Sequence, residues 1–221
     1  MDNVLVGVVY TPYKKYARHL YPALFDCLTY HKKQTILVTD KEVKGLSRLP
    51  YGELKAARGR DYIIHYARQF NYDSILFLDI DTVPDPDAIE KMLEVNYPLV
   101  GCLHAARGNA NQVIGHNYTS RDTLERVSLL RKEMVGTPKV DGVSGGMLLV
   151  KKSVFSKVDY TGYQGPNTIP MRFTADDEFL QIKIFKQLGI RPKVRTDLKS
   201  WHYSDNGRAY RCWGKIKIWQ A

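Results

Sequence analysis

The sequence predicts an α/β fold in which helices flank a mostly parallel central sheet, and three observations predict it. Short apolar, β-branched runs recur near residues 4–10, 34–40, 75–78 and 97–104. Segments with helical spacing separate the first of these runs, so strands and helices alternate as βαβ units, whose strands pair in parallel. The chain has 221 residues, 44% of them apolar and 25% charged, which suits one globular domain with one sizeable core.

Taken in order, residues 4–10 (VLVGVVY) predict a buried strand that Thr11-Pro12 ends. Residues 14–30 have helical spacing, with Tyr16, Leu20, Leu24 and Leu28 on one face. QTILVTD (34–40) predicts a second strand, a loop with Gly45 and Pro50 follows, and residues 52–70 predict a helix. Residues 75–78 predict the third strand, and Pro86 opens a helix carrying Ile89, Met92 and Leu93. YPLVGCLH (97–104) predicts the fourth strand. Residues 107–118 are rich in Gly, Asn and His with little apolar pattern and predict a long loop, as do residues 159–173. A strand at 147–150 follows a glycine pair, a helix at 176–188 stops at Gly189, and a strand at 193–196 leads into SWHY and a basic tail.

Composition narrows the function classes. No apolar run reaches the ~20 residues of a membrane span. The opening MDNVLVGVVYTP has no basic n-region or cleavage pattern, so it reads as a strand rather than a signal peptide. Cys27, Cys102 and Cys212 are far apart and form no C-x-x-C, which implies neither a disulfide framework nor a cysteine zinc site. A reducing, cytoplasmic setting is the expectation. The net charge of +10 points to anionic partners: phosphorylated ligands, nucleic acid or an anionic membrane surface. The excess lies late, where Arg191, Lys193, Arg195, Lys199, Arg208, Arg211, Lys215 and Lys217 face only Asp197 and Asp205.

The chemistry concentrates in SILFLDIDTVPD (74–85), where four apolar residues run into Asp79-Ile80-Asp81. Three readings fit. The letters match the D-x-D-x-T nucleophile motif of haloacid-dehalogenase-type phosphatases, with Asp79 as nucleophile and Asp81 as acid/base. Two βα units precede this motif, however, and the later acidic pair Asp176-Asp177 opens a helix instead of ending a strand. In the second reading the carboxylates share one face of an extended segment and address a divalent cation together, hard oxygen ligands suiting Mg²⁺ or Mn²⁺. In the third they only cap a turn, as is expected of Asp85 and Asp87 before the next helix.

From Lys55 to Asp87, KAARGRDYIIHYARQFNYDSILFLDIDTVPDPD resembles the metal-motif region of GT-A glycosyltransferases. It is similar to the inverting family 2 group and, around the D-x-D, to fungal mannan mannosyltransferases. DGVSGGMLLV, TADDEFLQI and SWHY follow in the order of the family's Gly-rich segment, acidic helix start and late histidine. The resemblance implies a Rossmann-like GT-A fold, with a nucleotide-sugar half at 1–105 and an acceptor half with the basic tail at 106–221. It implies transfer of a sugar from a UDP- or GDP-sugar, with Mn²⁺ or Mg²⁺, to a glycan, lipid-linked or protein acceptor. Peripheral contact with an anionic membrane surface fits the basic, aromatic tail; nucleic acid is not expected.

Position by position, the resemblance makes Asp81 the direct metal ligand and Asp79 its companion on the metal or ribose, while His202 completes the metal shell. Thr11 and Asp40 would lie beside the nucleoside, and Arg58 near the donor phosphates. Gly145 and Gly146 would let the backbone approach acceptor or sugar. Asp177 occupies the position of the base that an inverting enzyme needs; in a retaining enzyme Asp176 and Asp177 would hold sugar hydroxyls instead. A core histidine, a turn aspartate, a solvent-facing arginine and a helix-dipole pair are the structural alternatives at His202, Asp40, Arg58 and Asp176-Asp177.

Overall fold

A computed structural model describes residues 2–10, 28–49, 52–106, 109–113, 115–118, 126–129, 135–164, 176–204, 208–213 and 215–218. The first apolar run forms β1 (Val4–Val9), buried at every residue, and β2 (Lys33–Val38) lies beside it. Helix α1 (Gly52–Gln69) leads into β3 (Ser74–Asp79), then the two-residue β4 (Thr82–Val83) and α2 (Ala88–Glu94). The strand β5 (Leu99–Leu103) is followed by four short strands: β6 (Ala105–Ala106), β7 (Asn109–Val113), β8 (Gly115–Tyr118) and β9 (Arg126–Leu129). Next come β10 (Gly142–Val143), β11 (Met147–Lys151), the one-turn α3 (Lys152–Phe155) and α4 (Asp176–Leu188). The chain continues through β12 (Lys193–Lys199), β13 (Trp201–Ser204), β14 (Arg208–Arg211) and β15 (Lys215–Ile218). Among the described residues, no helix is long and apolar enough to cross a membrane.

Six strands make the central sheet, in the order β12-β5-β11-β3-β1-β2. Pairs β1·β2, β1·β3 and β5·β12 are parallel, while β11 runs antiparallel to both its neighbours. Alternation along a strand splits the core in two. Leu5, Val9, Ile75 and Phe77 face one side with Ile63 and Ile64 of α1 and Leu180 and Ile184 of α4. Val4, Val6, Val8, Leu76 and Leu78 face the other with Ile89 and Met92 of α2. Helices therefore cover both faces, which is why the central strands are apolar throughout. A Cβ on Gly59 would lie 2.6 Å from the Val9 methyls, so α1 sits on β1 at a spacing only glycine permits. At the end of α4, Gly189 takes φ 68°, the left-handed cap expected there.

Two expectations change. Residues 107–118 are not one long loop: β7 folds back on β6, and β8 pairs with β9 and β10. These pairs are held by backbone ladders, which need no apolar alternation, so a polar, Gly-rich stretch hides them. The basic tail likewise continues the fold, with β15, β14, β13 and β4 forming a four-stranded sheet. Residues 28–30 are not helical, and the remainder of the helix expected over 14–30 lies outside the described residues, as do residues 165–173 of the second expected loop.

The topology gathers one end of the molecule. The carboxyl ends of β1, β2, β3, β5 and β12 meet the amino end of β11, where ligands bind on open α/β sheets.

Candidate active site

Two groups of side chains stand at that end, either side of Ile80. The first centres on Arg60, which is 5% exposed and lies on the inward stripe of α1 with Ala57, Ile64 and Ala67. Its Nη1 donates to Asp176 Oδ2 at 2.6 Å, and its Nη2 donates to Asp79 Oδ1 at 2.7 Å and to the Gly145 carbonyl at 3.2 Å. Asp177, one residue on, accepts from Gly145 N at 2.6 Å through Oδ2 and from Glu178 N at 2.9 Å through Oδ1. One guanidinium thus ties together the end of β3, the turn before β11 and the first turn of α4. Gln181 reinforces this, its amide donating to Val143 O at 2.8 Å and accepting from Val143 N at 2.9 Å.

A Cβ on Gly145 would lie 2.5 Å from Asp177 Cβ and 2.8 Å from Arg60 Nη1. The glycine is required by that close approach. Gly145→Ala is expected to push α4 off the turn and cost about 1–3 kcal/mol, measurable by denaturant unfolding.

Burial pushes the Asp176 carboxyl up to about 7; Arg60 opposes that shift, and Asp177 and Asp79 add to it. Burial also raises Asp177. For Arg60, burial works against the charged form, but Asp176, Tyr160 and Asp79 outweigh it and hold its pKa well above the usual. From the ordinary carboxyl value of 3.8 up to about 7, the folded protein keeps a proton on Asp176 that the unfolded chain gives up. The stability this group contributes is full below 3.8 and is lost as pH rises through about 7. Unfolding free energy is therefore expected to fall between about pH 4 and about pH 7, and Asp176→Asn to flatten that slope.

The second group pairs Asp81, fully buried, with His202 on β13, 5% exposed. Their Oδ2 and Nε2 lie 3.4 Å apart. The opposite ring nitrogen, Nδ1, is 2.8 Å from the Ala105 carbonyl oxygen, an atom that only accepts, so Nδ1 carries a proton. In the neutral ring this places the Nε2 lone pair on the side of the carboxylate. The small sheet brings the two together: Thr82 pairs with His202, and Tyr203 N donates to Asp81 O at 2.8 Å. A carboxylate oxygen and an oriented imidazole nitrogen fit a divalent cation, Mn²⁺ better than Mg²⁺.

The two carboxylates of the D-x-D diverge. The strand stops at Asp79 and residues 80–81 turn, so strand alternation no longer holds Asp79 and Asp81 to one face. Asp79 points to Arg60, with its side chain 37% exposed, while Asp81 points to His202. Among the described residues, the trio of His, Asp, Glu or Cys whose donor atoms all lie within 4.8 Å is elsewhere, at Asp61, His65 and Asp159. There Lys183 Nζ at 3.0 Å and Arg68 Nη1 at 3.6 Å already offset Asp159.

The other expected residues are spread around this centre. Asp40 is exposed beyond β2, accepts from Ser47 N at 2.8 Å, and lines a cavity with Tyr10, Thr39, Leu46, Ser47 and Lys55. Arg58 is exposed on α1, and Thr11 lies outside the described residues. Gly146 O accepts from Asp79 N at 3.0 Å, so the glycine pair does stand beside the D-x-D.

Arg60 is the functional candidate that sequence reading left without a role. Its signal was its place in the 57, 60, 64, 67 stripe, where a charged residue among buried ones needs a partner. Buried His104, closing an apolar strand run, was a second.

No protein-family profile matches the chain, and no curated protein matches its sequence. Among solved structures it superposes on A197 from STIV with a TM-score of 0.62 at 15% identity, over 99% of this chain and 95% of that one. The likeness is one of fold. A glycosyltransferase involved in the glycosylation of the major capsid of PBCV-1 superposes with a TM-score of 0.49 at 13% identity, over 87% of this chain and 81% of that one.

Proposed function

We propose that this chain is a metal-dependent glycosyltransferase of GT-A type, moving a sugar from a UDP- or GDP-sugar to a hydroxyl of a glycan, lipid-linked or protein acceptor. The observation that carries this reading is the buried Asp81–His202 pair, oriented by Ala105, at the carboxyl end of β3 beside the Arg60 group.

Asp81 and His202 would hold Mn²⁺ or Mg²⁺, which when bound offsets charge on the departing nucleoside diphosphate. Asp40, with Tyr10, Thr39 and Lys55, lines the cavity where β1 and β2 end, and a base or ribose would enter there. Asp79 keeps one oxygen on Arg60, and its partial exposure leaves the carboxylate accessible to a ribose or sugar hydroxyl. Asp177 is partly exposed, and burial raises its carboxyl, which suits it to take a proton from an acceptor hydroxyl. Asp176 is more deeply buried and held by Arg60, so its role is to keep that constellation in place.

A hydrolysis screen over UDP- and GDP-sugars, with Mn²⁺ and with EDTA, tests the reading. Metal-dependent release of UDP or GDP from one donor is expected, and EDTA should abolish it. Release of phosphate from a general phosphomonoester through an Asp79 adduct would replace this reading with a phosphatase.

A further inference from the structure

The imidazole of His202 sits against a second buried histidine. His104, 1% exposed, follows β5, and its ring centroid lies 4.3 Å from that of His202 with the planes tilted by 40°. His104 Nδ1 is 2.7 Å from the hydroxyl oxygen of Ser200, itself fully buried. Ser200 N donates to Leu103 O at 3.3 Å, and His202 Nδ1 donates to Ala105 O at 2.8 Å. Residues 103–105 and 200–202 are thus cross-braced by three hydrogen bonds that alternate between the segments. The His104 ring also meets Gly146, where a Cβ would lie 3.0 Å from Cε1.

We infer that His104, held by Ser200, is a positioning residue that fixes the ring of His202 for the cation. The second torsion of a histidine side chain is broad and two-fold, so an imidazole needs contacts to settle which nitrogen faces a ligand. The dipeptide His104–Ala105 supplies them from two directions: the Ala105 carbonyl accepts a hydrogen bond from Nδ1–H, and the His104 ring packs on the His202 ring. His104 acts on the ring rather than on the ion, because among the described residues it forms no trio with Asp81 and His202 within 4.8 Å. Groups that orient a metal-bound histidine are worth about 10- to 100-fold in metal affinity when removed.

The inference rests on the proposed metal site, and one titration separates the two. Free Mn²⁺ is followed by electron paramagnetic resonance as it binds wild-type protein, Ser200→Ala, His104→Phe and His202→Ala. Expected are binding by wild type, about 10- to 100-fold weaker binding by Ser200→Ala and His104→Phe, and loss in His202→Ala. Donor turnover in the first two variants should recover when Mn²⁺ is raised to saturation, which a merely destabilised fold would not do. Ser200→Ala removes one oxygen and tests the idea even where His104→Phe does not fold. Wild-type affinity in Ser200→Ala and His104→Phe overturns the inference and leaves the metal site standing. Absence of Mn²⁺ binding by wild type removes the metal site and the inference with it.

Discussion

Replacing Asp81 by Asn is expected to abolish metal-dependent donor turnover while leaving the fold intact. Asn keeps the shape of the side chain and removes the charge. Because Asp81 is fully buried, the variant loses a charge from a place that solvent does not reach. A bound cation contributes several kcal/mol to charge stabilisation in the transition state, so a loss of about a thousandfold or more, ~4 kcal/mol, is expected. The complementary readout is thermal. Ligand at about a hundred times its Kd stabilises the folded state by about 2.7 kcal/mol. Mn²⁺ should therefore raise the melting temperature of wild type and not of Asp81→Asn. In EDTA the variant should be at least as stable as wild type, since a buried carboxylate without its cation is costly. Turnover that still depends on Mn²⁺ in Asp81→Asn would refute the assignment.

Arg60→Met is expected to be the most destabilising single change in the site. Methionine preserves much of the volume but strips the charge from a group that bonds Asp79, Asp176 and the Gly145 carbonyl. Removing one member of a buried ion pair costs about 3–5 kcal/mol because its partner is left uncompensated. The penalty should depend on pH with a definite sign. At low pH the freed carboxyls are protonated and the cost is smallest; it grows as they ionise. Urea unfolding at about pH 5 and about pH 8 should show the larger deficit at the higher pH. Adding Asp176→Asn should recover part of it, and equal deficits at both pH values would show that lost packing, not charge, is responsible.

Much of the fold is legible because the relevant signals are local. β1 and β3 are apolar at nearly every position because both faces of the sheet are covered, and α4 begins at Asp176 and ends before Gly189 as its acidic turn and glycine cap suggest. The short strands after β5 were not legible, since backbone pairing leaves no side-chain period to read. The site divides along the same line. Asp79, Asp81, His202, Asp176 and Asp177 stand out as polar residues at or near element ends, and the fold brings all five to the end of the sheet where the carboxyl ends of β1, β2, β3, β5 and β12 gather. That Asp79 and Asp81 part company was not legible, because it depends on the strand stopping at Asp79. Nor was the choice of Arg60 over Arg58, which the helical stripe decides: two residues along a helix turn a side chain from the interior to solvent.

The reversed strand β11 also sets a timetable for the growing chain. Strands β1, β2 and β3 come early in the sequence and can pair as soon as they are made. β5 cannot join them, because its place in the sheet is one strand away and the gap is filled only by residues Met147–Lys151. Until then β3 has one bare edge and β5 has two, each a row of unsatisfied amides and carbonyls open to other chains. A fragment ending before residue 147 should thus aggregate rather than fold. In the full chain, 43 residues separate β5 from β11, and those edges stay unpaired until all of them have been made.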